Sequence, residues 1–205
     1  MKEPGIGRVL VASLHQGIAD ILPTRLSFYE NWLNAEGLRE GTIGLAPLYA
    51  VLSFLRQEGE AYGTVTTRAG NYAAEWTVTS MPPVRRGMVT AMPAWIRRRL
   101  VMRMARHLVR DTYHGSRAVS RWKRGVAKVD LRASIFCTVR EPVDQPLCGF
   151  YAAAFARMLA MFDLDATGEV VACRGTGKPR CVLQLAVRNG HVADTVSAEG
   201  GTGPA

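Results

Sequence analysis

Three cysteines in the C-terminal third carry the sharpest chemical signal. Cys173 and Cys181 bracket Arg-Gly-Thr-Gly-Lys-Pro-Arg, a turn-rich loop between two β-like runs, so cross-strand pairing would bring both sulfurs within reach of one ion. Cys148 precedes a helical stretch beginning at Gly149, where the positive end of the helix dipole favours a thiolate. Glu169 is the nearest carboxylate that could complete the set of about four Cys, His, Asp or Glu ligands that structural zinc takes. The Cys-x-x-Cys knuckles of common zinc folds are absent, so residue types and spacing alone leave metal ligation and plain burial of the thiols both open. Cys137 ends a period-two run and reads as core.

The basic residues are the second signal. Residues 85–128 hold 13 of the 26 Lys and Arg with Asp111 as their only acid, so the net charge of +9 belongs to one segment. On a helical wheel Arg99, Arg103, Arg106 and Arg110 share one arc, and Val101, Met104, Ala105, Leu108 and Val109 occupy much of the remainder. Such a face suits carboxylate tails of a ligand, an anionic membrane surface, an acidic partner or simple solvation. Nucleic acid is not expected, because no recognised nucleic-acid-binding motif accompanies the charge. His15, His107 and His114 are too scattered to form a motif. A chlorin magnesium is one use for His15, an ordinary hydrogen bond the commoner one.

Several chemistries are disfavoured. Gly5-Ile6-Gly7 lacks the later glycine of a dinucleotide fingerprint, and Gly175-Thr176-Gly177-Lys178-Pro179 fails the phosphate-loop pattern, so no nucleotide site is visible. An iron–sulfur cluster of the ferredoxin type needs four grouped cysteines, and only the last three are expected to converge. Any reductase activity would have to borrow its reductant from elsewhere.

The elements that must position these groups follow from periodicity. Leu10, Leu14, Ile18 and Leu22 recur at helical spacing up to Pro23, and Leu26, Tyr29 and Leu33 resume the pattern, which predicts two helices with a break. After a loop containing Gly37, Gly41 and Gly44, Pro47 opens a helix with Leu48, Val51, Leu52 and Leu55 on one face. A helix is predicted from Thr67 to Thr77, a connector between Pro82 and Pro93, and a helix from Ala94 to Tyr113. From Val126 to Cys137 the period becomes two, predicting a strand. Residues 149–162 read as an amphipathic helix, 169–173 and 181–187 as a hairpin. The fold class is α+β, an antiparallel sheet packed against helices. The domain plan is one unit over 1–188, helical over 1–125 and strand, helix and hairpin over 126–188, with a disordered Gly- and Ala-rich tail at 189–205.

Composition agrees with a single core: 205 residues with 48% hydrophobic content need no disulfide support. No apolar run approaches the roughly 20 residues of a membrane span, and Met1-Lys2-Glu3-Pro4-Gly5 lacks the apolar stretch of a secretory signal, so a cytoplasmic location with free thiols is expected.

Leu147-Cys148-Gly149-Phe150-Tyr151-Ala152, followed by Cys173 and Cys181, resembles the 4-vinyl reductase domain of small hydrocarbon-binding proteins and aromatic-sensing transcription factors. In the sensors three comparable cysteines and a glutamate hold zinc beside a ligand pocket. The resemblance therefore implies zinc on Cys148, Cys173 and Cys181. The sensors' glutamate lies three residues before the middle cysteine, whereas Glu169 lies four before Cys173, a shift that reverses its face on a strand. Leu14-His15-Gln16, Leu22-Pro23-Thr24-Arg25, Phe28-Tyr29-Glu30-Asn31-Trp32-Leu33, Gly41-Thr42-Ile43-Gly44-Leu45-Ala46-Pro47 and Phe54-Leu55-Arg56 resemble the bacteriochlorophyll 4-vinyl reductase family of purple photosynthetic bacteria. Its relatives' fold is similar to the ligand-binding domain of haem-based gas sensors and Golgi transport tethers.

The resemblance implies a protochlorophyllide- or chlorophyllide-type tetrapyrrole as ligand. It implies reduction of the vinyl group with an external electron donor, or delivery of the pigment to magnesium chelatase or the following methyltransferase, with possible contact to the photosynthetic membrane. Helical spacing nominates Leu48, Val51, Leu52, Phe54, Phe155 and Met158 for the apolar macrocycle, and Arg103 and Arg106 for its acid tails. Tyr151 and Glu75 are acids that could protonate a product carbon, and no residue is assigned a catalytic role. The alternative function is a sensor or scaffold for a small hydrophobic ligand, acting through a partner.

Overall fold

The computed structural model describes residues 6–33, 44–123, 125–139 and 141–187. The chain is α+β: seven α-helices and a four-stranded antiparallel sheet of order β1-β2-β4-β3 among the described residues. Helix α1 (Arg8–Ile21) ends before Pro23, which opens a 3-10 turn (Pro23–Arg25) and then α2 (Leu26–Glu30), so the predicted break is present. Helix α3 (Leu45–Gln57) buries Leu48, Val51, Leu52 and Leu55. Helix α4 (Glu60–Thr79) is longer than the predicted 67–77, because Tyr62, Val65 and Thr66 extend its buried face toward the N-terminus.

The stretch between Pro82 and Pro93 is not a plain connector. Pro83 occupies the first turn of a short helix, α5 (Pro83–Ala91), where its missing N–H costs nothing. Pro93 then caps the start of α6 (Ala94–Thr112). The sheet also begins earlier than expected: β1 (Arg117–Lys123) lies within the part read as helical. Its exposed Arg117, Val119, Arg121 and Lys123 alternate with half-buried neighbours, and short polar edge strands of this kind give a weak apolar signal. β2 (Val126–Arg132) stops five residues before Cys137, because Ala133 adopts a left-handed φ of 53° that breaks the ladder. Helix α7 (Gly149–Ala160) and strands β3 (Ala166–Ala172) and β4 (Cys181–Val187) complete the fold. Gly37 and Gly41 of the expected loop, and the tail from 189, lie outside the described residues.

The buried face of the sheet is set by period two. Ala127, Val129 and Leu131 of β2 stand beside Leu185, Leu183 and Cys181 of β4, and all six are buried. Helix α7 crosses this face and is pressed between sheet and α4. A Cβ on Gly168 would lie 2.5 Å from the Ala152 carbonyl oxygen, and one on Gly70 of α4 would lie 2.2 Å from that of Phe150. Only glycine permits approaches this close. No described helix is long and apolar enough to cross a membrane.

Candidate functional site

The structure gathers the thiols of Cys137, Cys148, Cys173 and Cys181 so that all four sulfurs lie within 4.8 Å of one another. Each arrives from a different local cause. Cys181 opens β4 opposite Leu131, and Cys173 follows the end of β3. Cys148 is the residue before α7. Cys137 closes the 3-10 turn Ile135–Cys137, which the left-handed Ala133 directs back over the end of the sheet. Ser116 donates from its hydroxyl to the Ala133 carbonyl at 2.7 Å and fixes that bend.

Neighbouring groups hold the turn in place. The Arg56 guanidinium of α3 donates to the carbonyls of Phe136 and Thr138, at 3.4 and 3.3 Å. Phe136 stacks on Phe150 with centroids 5.0 Å apart and meets Tyr151 edge-on. The Tyr62 hydroxyl donates to the Leu147 carbonyl at 2.9 Å, anchoring the residue before Cys148. These contacts link residues far apart in the chain.

Cys137 Sγ lies 3.0 Å from Cys148, 3.3 Å from Cys173 and 3.4 Å from Cys181. The Leu147 and Arg174 backbone N–H groups donate to the sulfurs of Cys173 and Cys181, each at 3.3 Å. Hydrogen bonds from Cys137 and then Cys148 hold the Cys173 and Cys181 thiols below the ordinary range. The thiols beside Cys148, with its burial, push it well above that range, and Cys137 is raised as well. The first protons thus leave easily and the last with difficulty, as crowded thiols demand. Four sulfurs about 2.3 Å from a central ion would stand about 3.8 Å apart in a tetrahedron, so a small expansion of this cluster would admit zinc. The donor set therefore fits a metal.

Two expectations are corrected here. Cys137 is neither in a strand nor a plain core thiol, and it contributes the fourth sulfur. Glu169 is not part of the cluster: it is exposed on β3 opposite Gln184. A bulge between Val170 and Ala172 takes up one residue, so alternation counted back from Cys173 does not reach Glu169 unchanged.

The arginines form a second concentration. Arg103, Arg106, His107 and Arg110 of α6, His114, and Arg117, Ala118 and Val119 at the edge strand line an open cleft of about 490 Å³. Arg103, Arg106 and Arg110 recur at three- and four-residue steps, so one helix face presents them together. The buried Arg106 Nε has no hydrogen-bond partner among the described residues. Arg110 bonds to the His107 ring at 2.7 Å. Across the strands, Arg117 faces Arg132 and Arg121 faces Lys128, pairs of like charge that weaken the sheet unless an anion relieves them.

The nominated apolar residues do not meet these arginines. Leu48, Val51, Leu52, Phe155 and Met158 are fully buried in the core, and none lines the basic cleft. Phe54 is half-buried against Phe28 and Trp32. Helical spacing had marked faces turned inward, and in this fold other side chains fill the space before them. His15 bonds Glu30 at 3.0 Å. Tyr151 is fully buried beside the Thr112 hydroxyl, and Glu75 pairs with Arg157 at 2.8 Å.

Fold and cluster together define a small α+β domain with a buried tetrathiol group and a cationic edge. Among solved structures, it is similar to the phenol-responsive sensory domain of the transcription activator PoxR in complex with phenol, at TM-score 0.51 and 14% identity, over 69% of this chain and 73% of that one. At that identity the likeness concerns the fold. Neither a protein-family model nor a curated protein matches the chain.

Proposed function

We propose that this protein binds an anionic tetrapyrrole of bacteriochlorophyll synthesis and presents it to another enzyme of that pathway, with the acid tails seated in the cleft of Arg103, Arg106 and Arg110. The observation that carries this reading is the cleft itself: six cationic or protonatable side chains converge on about 490 Å³, a volume within the usual range for small-molecule sites. The guanidinium groups of Arg103, Arg106 and Arg110 at the cleft are donors that carboxylates would satisfy. Ala118 and Val119 offer the apolar contact for the ring edge. The sequence resemblance to the bacteriochlorophyll 4-vinyl reductase family supplies the ligand class.

In the same reading the four thiols hold zinc. The metal would clamp four chain segments together as a structural ion. The donating N–H groups of Leu147 and Arg174 are the kind of outer contact that orients thiolate ligands.

A second reading is a sensor or scaffold for a small aromatic ligand, favoured by the fold shared with the phenol-responsive domain. Titration with divinyl protochlorophyllide, followed by absorbance and fluorescence and then by product analysis with an added reductant, separates the cases. Saturable binding with an intact vinyl group supports the carrier, and conversion to the ethyl product makes the protein a reductase. Absence of pigment binding, together with binding of phenol, moves the assignment to the sensor.

A further inference from the structure

Residues 76–110 contain eight arginines and no acid. They include α5 and most of α6, joined at Pro93. Among the described residues the three most exposed large hydrophobic side chains also lie here: Val84 at 76%, Met88 at 58% and Trp95 at 57%. Val84 and Met88 are one helical turn apart on α5, while Val89 supplies that helix's buried contact. A helix that buries one valine and leaves a second valine and a methionine in water is poorly explained by packing within this chain.

The polar groups around this elbow are of one kind. Trp95, Arg98, Arg99, Trp122, Lys123 and Gly125 line a cleft of about 500 Å³. The Arg98 guanidinium lies over the Trp122 ring at 5.3 Å and Arg99 over Trp95 at 5.7 Å. None of Arg85, Arg86, Arg98 and Arg99 forms an ion pair among the described residues. Arg97 has a different task, donating to the Thr90 carbonyl at 2.7 Å and so tying α5 to α6. Exposed aliphatic side chains, tryptophans and unpaired arginines in one segment are the combination that settles at a lipid headgroup layer. A water-filled cavity needs no such apolar projection, and an acidic protein would not require it.

We propose that the α5–α6 elbow docks on an anionic membrane surface, with Val84, Met88 and Trp95 entering the interface and Arg98, Arg99 and Lys123 holding phosphate headgroups. The site is distinct from the cleft of Arg103, Arg106 and Arg110, and the inference does not depend on the ligand bound there. Attachment of this kind is reversible, since one short helix buries little apolar area.

Vesicle co-sedimentation of the full chain tests it, using phosphatidylcholine alone and phosphatidylcholine with one third phosphatidylglycerol. Binding is expected to the anionic vesicles only and to weaken at high salt. Arg98→Gln with Arg99→Gln should lower the partition coefficient about 25-fold, at about five-fold for each charge near the surface. Val84→Asp with Met88→Asp should lower it about ten-fold or more while leaving the circular dichroism spectrum and pigment titration unchanged. Quenching of tryptophan fluorescence by bilayer-brominated lipid should drop in Trp95→Phe. Equal binding to neutral vesicles, no binding to either, or indifference to both double variants would overturn the proposal. So would vesicle-free self-association abolished by Val84→Asp with Met88→Asp, which would give the patch to a second copy of the chain.

Discussion

Four thiols beside stacked aromatic rings and four arginines with two histidines around an open cleft are both concentrations of one kind of polar group, built on opposite terms. The thiols come from four segments, and strand pairing, a left-handed alanine and the start of α7 must all be in place before they meet. Most of the cleft's basic side chains come from one helix and need only its regular turn, with Arg117 and His114 added by the neighbouring chain. The first arrangement makes the fold and the site interdependent. The second leaves the site on the surface, where charge can change with little cost to the core. Stability and ligand binding should therefore separate by mutation.

The largest effect should come from the thiols. On the zinc proposal, replacing Cys173 by Ser is expected to remove the ion, measured by elemental analysis, and to cost about 3 kcal/mol, which lowers Tm by about 8 °C for a domain of this size. An unchanged Tm would break the comparison by making the cluster incidental to the fold. Gly70→Val, which drives a side chain into the Phe150 carbonyl, should cost a similar amount, about 2–3 kcal/mol by denaturant unfolding. It should also loosen zinc, since Cys148 rides on the same helix start.

The cleft should behave in the opposite way. Arg103→Glu with Arg106→Glu is expected to weaken pigment binding more than about 100-fold, as two charge-assisted contacts become repulsive, with less than about 1 kcal/mol change in stability. Glu169→Gln sharpens the contrast from the other side: zinc content should not change, because this exposed carboxylate stands outside the cluster. A small, pH-dependent effect on stability concerns Asp20. Hydrogen bonds from Tyr72, Arg68 and Gln16 lower its pKa to about 2. A depressed carboxylate pKa contributes stability above the unfolded value of 3.8 and loses it as pH falls through about 2. Asp20→Asn should thus cost under about 1 kcal/mol at pH 7 and nothing near pH 1, by thermal melts across that range.

The sequence by itself determined most of the helical framework. Pro23 ended α1, the buried stripe of Leu48, Val51, Leu52 and Leu55 defined α3, and the alternation of period three to four placed the arginines on one face of α6. These are local properties, carried by spacing within about ten residues. It also singled out Cys148, Cys173 and Cys181, because the hairpin loop and the helix start are local as well. Only the tertiary structure decided that Cys137 joins them and Glu169 does not. One residue in a left-handed conformation ends β2 early and takes Cys137 off the strand face that alternation gave it, while Glu169, nominated as the nearest carboxylate, stays exposed on β3. The same limit applies to Phe155 and Met158. Periodicity says which face turns inward, and the packing of the other elements decides whether a cavity or a neighbouring side chain waits there.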